Sequence, residues 1–308
     1  MIRSFLPTDL VLILVGDGSL LDRARPRDRL GGEGARIATL CRLLLQRVNP
    51  RYRRYTWVRT ENMIPCGLAS VRDRSVSTSW EIDSLMLREQ DIRCCTSLLE
   101  RLSSVALDRR IETIFLRLAE DSPFAAAAKG VGFAPYMIED LYWRQGGGAA
   151  QAEAAAVPAV QPRRRQASDD YRLFELYERR VPLRVRKTEG STFREWQASR
   201  ERHGGVELVF EAEGCLSGWL SLGMGRGVGW FDVMAASDED MLRIVGYALK
   251  ALSDCRDVFC LVAGFDTGLA RALESNGFSR VGTYSSMVKE LSVKESEPCL
   301  VPLMPAGA

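Results

Sequence analysis

The chain has little that a metal, a disulfide framework or a membrane would need. It holds a single histidine, His203, in a polar stretch, and its eight cysteines (Cys41, Cys66, Cys94, Cys95, Cys215, Cys255, Cys260, Cys299) show no Cys-x-x-Cys spacing. That pattern predicts no metal site. In a chain of 308 residues the lack of paired cysteines also predicts a reducing, cytoplasmic setting. The apolar run LVLILVG, Leu10 to Gly16, falls short of the roughly 20 residues that a membrane span needs. It lacks a basic leader and a small-residue cleavage site, so it predicts a buried helix, neither signal peptide nor membrane anchor. An excess of charge of one sign is missing too: 42 basic and 40 acidic residues leave +2. That balance argues against nucleic acid and against an anionic membrane as partner. Arg51, Arg53 and Arg54, with Tyr52 and Tyr55 between and after them, are the local exception and predict a solvated strand edge, with RNA contact the lesser alternative.

What is present is enough apolar residue, 46%, for ordinary packed cores in about two domains. GMGRGVGW, Gly223 to Trp230, raises the question of a phosphate loop. Such a loop follows a strand and opens a helix, whereas the WFDVMAAS that follows here reads as a strand. The glycines therefore predict a hairpin tip, where positive φ costs glycine nothing. Gln145 to Gln166, rich in Gly, Ala, Pro and Gln, predicts an interdomain linker.

On either side of that linker the sequence repeats. WVRTENMIPCGLAS (Trp57 to Ser70) lies over LVFEAEGCLSGWLS (Leu208 to Ser221), pairing Gly67 with Gly218, and SWEID lies over GWFD, pairing Trp80 with Trp230. Phe115 then matches Phe259, Asp121 matches Asp266, and Gly132-Phe133 matches Gly277-Phe278. The openings agree as well, FLPTDLVLIL with PRRRQASDDYRLFEL. Each copy reads as a strand, a helical region, a strand meander, a long amphipathic helix (Ser97 to Leu107; Asp240 to Asp254), a buried strand, a short helix and a final strand pair. Strands mixed with helices in this order predict an α+β, mixed αβ architecture. The boundaries are 1–144, a linker at 145–166, a second domain at 167–291 and a disordered tail from Ser292.

A strand, a turn, a long helix, a strand and a short helix ending in Gly-Phe resemble the GNAT (acyl-CoA N-acyltransferase) fold, once per copy. The resemblance implies two tandem GNAT-like domains, each a mixed, largely antiparallel sheet flanked by helices. It implies acetyl-CoA as cosubstrate, with pantetheine paired to the strand end at Leu85, Met86 and Leu87. The pyrophosphate turn Q/R-x-x-G-x-G/A then falls on Gln90, Asp91, Ile92, Arg93, Cys94 and Cys95, with Thr96 following. Gln90 matches that pattern, while Arg93 and Cys95 stand at glycine positions. The second copy is shorter here and reads SDEDML, whose carboxylates repel a pyrophosphate; it is expected to be structural. Glu81 and Asp83 alternate on one strand face and are the candidate bases. The family's usual acid, a tyrosine, is replaced by Ala128 and Leu273, which leaves Tyr136 or Tyr142 as the candidate acid. The adjacent Cys94 and Cys95 are read as buried or helix-start thiols.

These readings predict an N-acetyltransferase that moves an acetyl group from acetyl-CoA to a small-molecule or protein amine, with its site in the first copy. The alternative is a catalytically degenerate GNAT-fold binding or scaffold protein. Either way the two copies are expected to pack against each other within a monomer or dimer.

Overall fold

The structure, a computed structural model, describes residues 1–15, 20–24, 54–74, 78–145, 162–199, 205–212, 214–225 and 227–291. Most of the linker, the tail from 292, His203, Cys41, Cys299 and the run 51–53 lie outside the described residues.

Thirteen strands make one continuous sheet: β1 (Ile2–Ser4), β2 (Leu21–Asp22), β3 (Arg54–Glu61), β4 (Ile64–Asp73), β5 (Ser79–Leu87), β6 (Thr113–Ala119), β7 (Ala134–Gln145), β8 (Arg163–Arg164), β9 (Val206–Ala212), β10 (Cys215–Gly225), β11 (Val228–Ala235), β12 (Asp257–Ala263) and β13 (Ser279–Glu290). Their order is β1-β3-β4-β5-β6-β13-β7-β12-β11-β10-β9-β8, with β2 added to β5. The order is a palindrome of the two repeats with one exchange. β13 of the second copy pairs with β6, and β7 of the first pairs with β12. Glu139 and Tyr284, each six residues after its Gly-Phe pair, are direct partners at the centre of the sheet.

The exchange accounts for a difference from the sequence reading. Each copy ends in one 12-residue strand, not a strand pair, because its second neighbour is the last strand of the other copy. Met287 thus packs in the first core and its counterpart Tyr142 in the second.

The same small devices build both halves. Arg3 reaches Asp9 with two hydrogen bonds of 2.7 and 2.6 Å, and Asp9 also accepts from the Leu6 N–H. Arg163 and Asp169 repeat this at 2.8 and 2.6 Å, with the Gln166 N–H as third partner. Arg163 to Gln166 therefore belong to the fold and not to the linker. The Arg163 bonds hold the Asp169 carboxyl down at about 2, and Asp9 is lowered too, its Arg3 and backbone bonds outweighing the effect of burial.

The long helices, Ile92–Asp108 and Asp238–Ala251, cross the sheet over the paired glycines. A Cβ on Gly67 would stand 2.3 Å from Cys94 Sγ, and one on Gly218 would stand 2.2 Å from Ile244 Cδ1. Both glycines are there for this close approach.

The glycine loop is a hairpin tip: Gly225 pairs with Val228, Gly227 has φ +79°, and Gly223 leaves room for the Trp230 ring. The helix Pro7–Val15 is only partly buried, with Ile13 inside and Val11 and Leu12 exposed. Arg54 and Tyr55 do not form a solvated edge. Arg54 pairs with Asp83, and Tyr55 packs on Trp57 and Trp80 beneath the Arg109 guanidinium.

Candidate functional site

In the first copy β5 and β6 run parallel from Ser79/Thr113 to Ile82/Leu116 and then part. At the same point β5 bulges against β4, where the register steps from Ser70/Ser84 to Val71/Ile82 and leaves Asp83 as the extra residue. A bulge at a parting of strands re-aims side chains and is a frequent feature of functional sites. It also corrects the repeat alignment. The extra residue makes Trp80, which faces the long helix, the counterpart of Gly229, so Trp80 and Trp230 are not equivalent.

The cleft so formed is filled by the chain itself. Leu21 and Asp22 pair with Leu87 and Met86 as a short antiparallel strand. Leu85 donates its N–H to Asp22 Oδ1 at 3.0 Å and accepts from the Arg23 N–H at 2.8 Å. Asp22 also accepts from the Ser84 hydroxyl at 2.7 Å and from the Ala24 N–H at 3.1 Å. Leu20, Asp22 and Ala24 are buried. The backbone groups of Leu85, Met86 and Leu87 assigned by resemblance to pantetheine are therefore engaged with residues 21–23, and acetyl-CoA does not fit this strand edge as it stands.

The turn that follows is likewise occupied. Gln90 adopts φ +63°, and Asp91 caps the helix, its Oδ1 accepting from the Cys94 N–H at 2.9 Å. A carboxylate thus sits where a phosphate would approach. The Thr96 hydroxyl donates to the Ile92 carbonyl and Arg93 is exposed. Cys94 and Cys95 point into the core, where burial drives the Cys94 thiol far above its ordinary range and the Cys95 thiol up to about 12. Neither has nucleophile character.

The candidate acid and bases are tied down by charge. Asp83 is buried against Arg54. Glu81 binds Arg72 at 2.6 Å and lies 3.8 Å from Arg74. Arg74 stacks 3.9 Å over the Phe115 ring and stands 3.9 Å from Glu189, in the helix Leu183–Glu189 of the second copy. Tyr136 donates to Glu189 at 2.8 Å, and burial, reinforced by that carboxylate, raises its hydroxyl well above 10. Burial also raises Glu189. Glu81, Arg74, Glu189 and Tyr136 thus form one chain of charge contacts across the two copies. Tyr142 lies elsewhere, in the second core, bonded to Glu274 at 3.0 Å.

Sequence reasoning missed Asp22, Arg23, Arg74 and Glu189. The only signal for the first pair was a buried-looking LLDRA segment with an acid inside it. Glu189 carried none, because its partner is 53 residues away.

In the second copy β11 and β12 part after Phe231/Cys260 without a bulge beside β10, and no described segment is added to β11. A polar cavity of about 230 Å³ lies at the start of the long helix, between Arg179, Arg180, Asp238, Asp266 and Arg271. Arg180 pairs with Asp266 at 3.1 Å and Arg271 with Asp238 at 3.4 Å. The long helix above it is capped by Ser237, which accepts from the Asp240 N–H at 3.1 Å and donates to its carboxylate at 2.6 Å.

This architecture is similar to that of solved acetyltransferases. A GCN5-related N-acetyltransferase from Sphaerobacter thermophilus matches at a TM-score of 0.58 with 14% identity, over 94% of this chain and 95% of that one. A protein of Pyrococcus horikoshii assigned as an acetyltransferase matches at 0.59 with 14% identity, over 96% and 90%. A tandem GNAT protein from the clavulanic acid biosynthesis pathway matches at 0.53 with 16% identity, over 78% and 84%. No protein-family model and no curated protein sequence matches the chain.

Proposed function

On the GNAT fold that this chain carries, we propose that the protein is a catalytically degenerate binding or scaffold protein, whose first cleft is closed by its own residues 20–24. The observation that carries this reading is the pairing of Leu85 with Asp22 and Arg23. The other groups point the same way. Both candidate bases neutralise arginines, and Tyr136 is bonded to a carboxylate whose charge opposes its loss of a proton. In the second copy, Asp238, Glu239 and Asp240 crowd the first turn of the long helix.

A second reading keeps the N-acetyltransferase of the sequence analysis, acting on a small-molecule or protein amine. It is favoured by the parting of β5 from β6 and by the bulge at Asp83. In it the segment Leu20–Ala24 must leave the strand edge before acetyl-CoA arrives.

Calorimetric titration of acetyl-CoA into the intact protein, Asp22→Ala and Arg93→Glu separates the two. The degenerate reading expects no binding by any of the three. Binding that appears only in Asp22→Ala selects the gated transferase. Micromolar binding by the wild type at about one site per chain, lost in Arg93→Glu, overturns the degenerate reading outright.

A further inference from the structure

The first long helix begins beside two thiols that the sequence keeps far apart. Cys66, on β4, and Cys94, in the first turn of the helix, place their sulfurs 4.0 Å apart, and Asp91 completes a group whose ligand atoms all lie within 4.8 Å of one another. Both cysteines are buried, whereas Asp91 is half-exposed. Two zinc–sulfur bonds of about 2.3 Å at a tetrahedral angle set the sulfurs about 3.8 Å apart, close to the spacing seen.

We propose that Cys66, Cys94 and Asp91 form a zinc site that fastens β4 to the start of the helix Ile92–Asp108, with its fourth position on the solvent side of Asp91.

The chemistry of the donors favours this metal. Thiolates select soft or borderline ions, and a carboxylate as third ligand is ordinary for zinc. Two thiolates and a carboxylate against one divalent ion leave a single negative charge. The positive end of the helix faces it, and Arg59, which bonds Ser97 at 3.4 Å and shares its charge with Glu61 at 2.9 Å, stands nearby. The position is fixed by packing, since Cys94 lies against Gly67 too closely for any side chain there. Cys66 donates its S–H to the Arg59 carbonyl at 3.3 Å, and metal binding replaces that proton and the one on Cys94. The site is assembled from residues 66, 91 and 94, which is why no Cys-x-x-Cys spacing announces it.

The test is a cobalt(II) titration of the reduced, intact protein, read by thiolate-to-cobalt charge-transfer absorption, with zinc as competitor. One equivalent per chain is expected, displaced by zinc, with the absorption lost in Cys66→Ser and in Cys94→Ala and binding at least tenfold weaker in Asp91→Asn. Cys95→Ser, a neighbouring buried thiol outside the group, is expected to bind as the wild type does. Circular dichroism establishes that each variant is folded, and zinc is expected to raise the melting temperature of the wild type but not of Cys66→Ser. A folded wild type without thiolate–cobalt absorption, or absorption that survives in folded Cys66→Ser, overturns the site. Loss of two titratable thiols in air that added zinc does not slow, restored by dithiothreitol and absent in Cys66→Ser, overturns it in favour of a disulfide.

Discussion

The two halves of this molecule share their framework and differ at their clefts. Both start with an arginine–aspartate clasp, lay a long helix over a glycine and lend their last strand to the other. At the cleft the first half has a bulge and a self-added strand, while the described residues of the second show neither and carry three acidic residues in the helix turn above a small polar cavity. Packing devices that bury apolar surface are thus retained twice, because losing either exposes a core. The groups at the two clefts, by contrast, differ between the copies. That contrast separates fold from activity in this chain.

The sharpest way to break the comparison is at Asp22, which has no counterpart beside β11 among the described residues. Asp22→Ala leaves the Leu85 N–H and the Ser84 hydroxyl without their buried acceptor, and is expected to cost about 3 kcal/mol of stability in urea unfolding. Asp22→Asn, which keeps an acceptor oxygen, is expected to recover most of it. A cost below about 1 kcal/mol for alanine would mean that the segment is only loosely held.

The glycines test the shared part. Gly67→Ala and Gly218→Ala each put a methyl group into the path of a long-helix side chain, and each is expected to cost about 2 kcal/mol. Similar values would support equivalent packing in the two halves; a difference of more than twofold would not. Cys94 Sγ is a stiff neighbour and Ile244 Cδ1 a mobile one, so any inequality should fall on Gly67.

The clasps make a pH comparison. The folded-state value of Asp169 is about 2 against about 3.9 for a free aspartate. Its contribution, about 2 kcal/mol, is fully present above the unfolded value and disappears as the pH falls from about 4 to 2. Asp9 is lowered in the same direction and should act in the same window. Denaturant midpoints at pH 7, 4 and 2.5 are expected to fall steeply over the last step, and Asp169→Asn should flatten that fall and lower the pH 7 midpoint.

How much of this was legible in the sequence follows from the same division. The repeat, the α+β order, the hairpin at Gly223 and the two long helices all rest on local pattern, and local pattern is written in neighbouring residues, whereas the packing of those helices over Gly67 and Gly218 is not. The strand exchange was not legible, since β7 reads the same whether its neighbour is β6 or β12. Trp80 was matched to Trp230 because identity outweighed a bulge that only the register of β4 reveals. Among the proposed site residues, Glu81 and Asp83 were placed correctly on β5, but their arginine partners come from β3, β4 and the loop after it. Tyr136 was chosen as the acid without sight of Glu189, which only the packing of the two halves brings to its hydroxyl. The resemblance gives the strand end at Leu85, Met86 and Leu87 to pantetheine because nothing in LLDRA announces that its backbone will lie along β5.

The smallest expected effect lies at the helix starts. Asp91 caps the first long helix and Ser237 the second, each accepting from the N–H three residues on. Ser237→Ala removes one acceptor at an exposed end and is expected to cost about 1 kcal/mol. The first turn it opens also holds Asp238, Glu239 and Asp240, whose charges face the positive end of the helix in wild type and variant alike, so the loss should change little with salt. Asp91→Ala removes both cap and charge, so its cost should fall with salt as the attraction of that carboxylate for the positive end of the helix is screened. Urea midpoints of the two variants at low and high salt check this. Equal salt dependence would show that the charge of Asp91 adds nothing to the hydrogen bond by which it caps its helix.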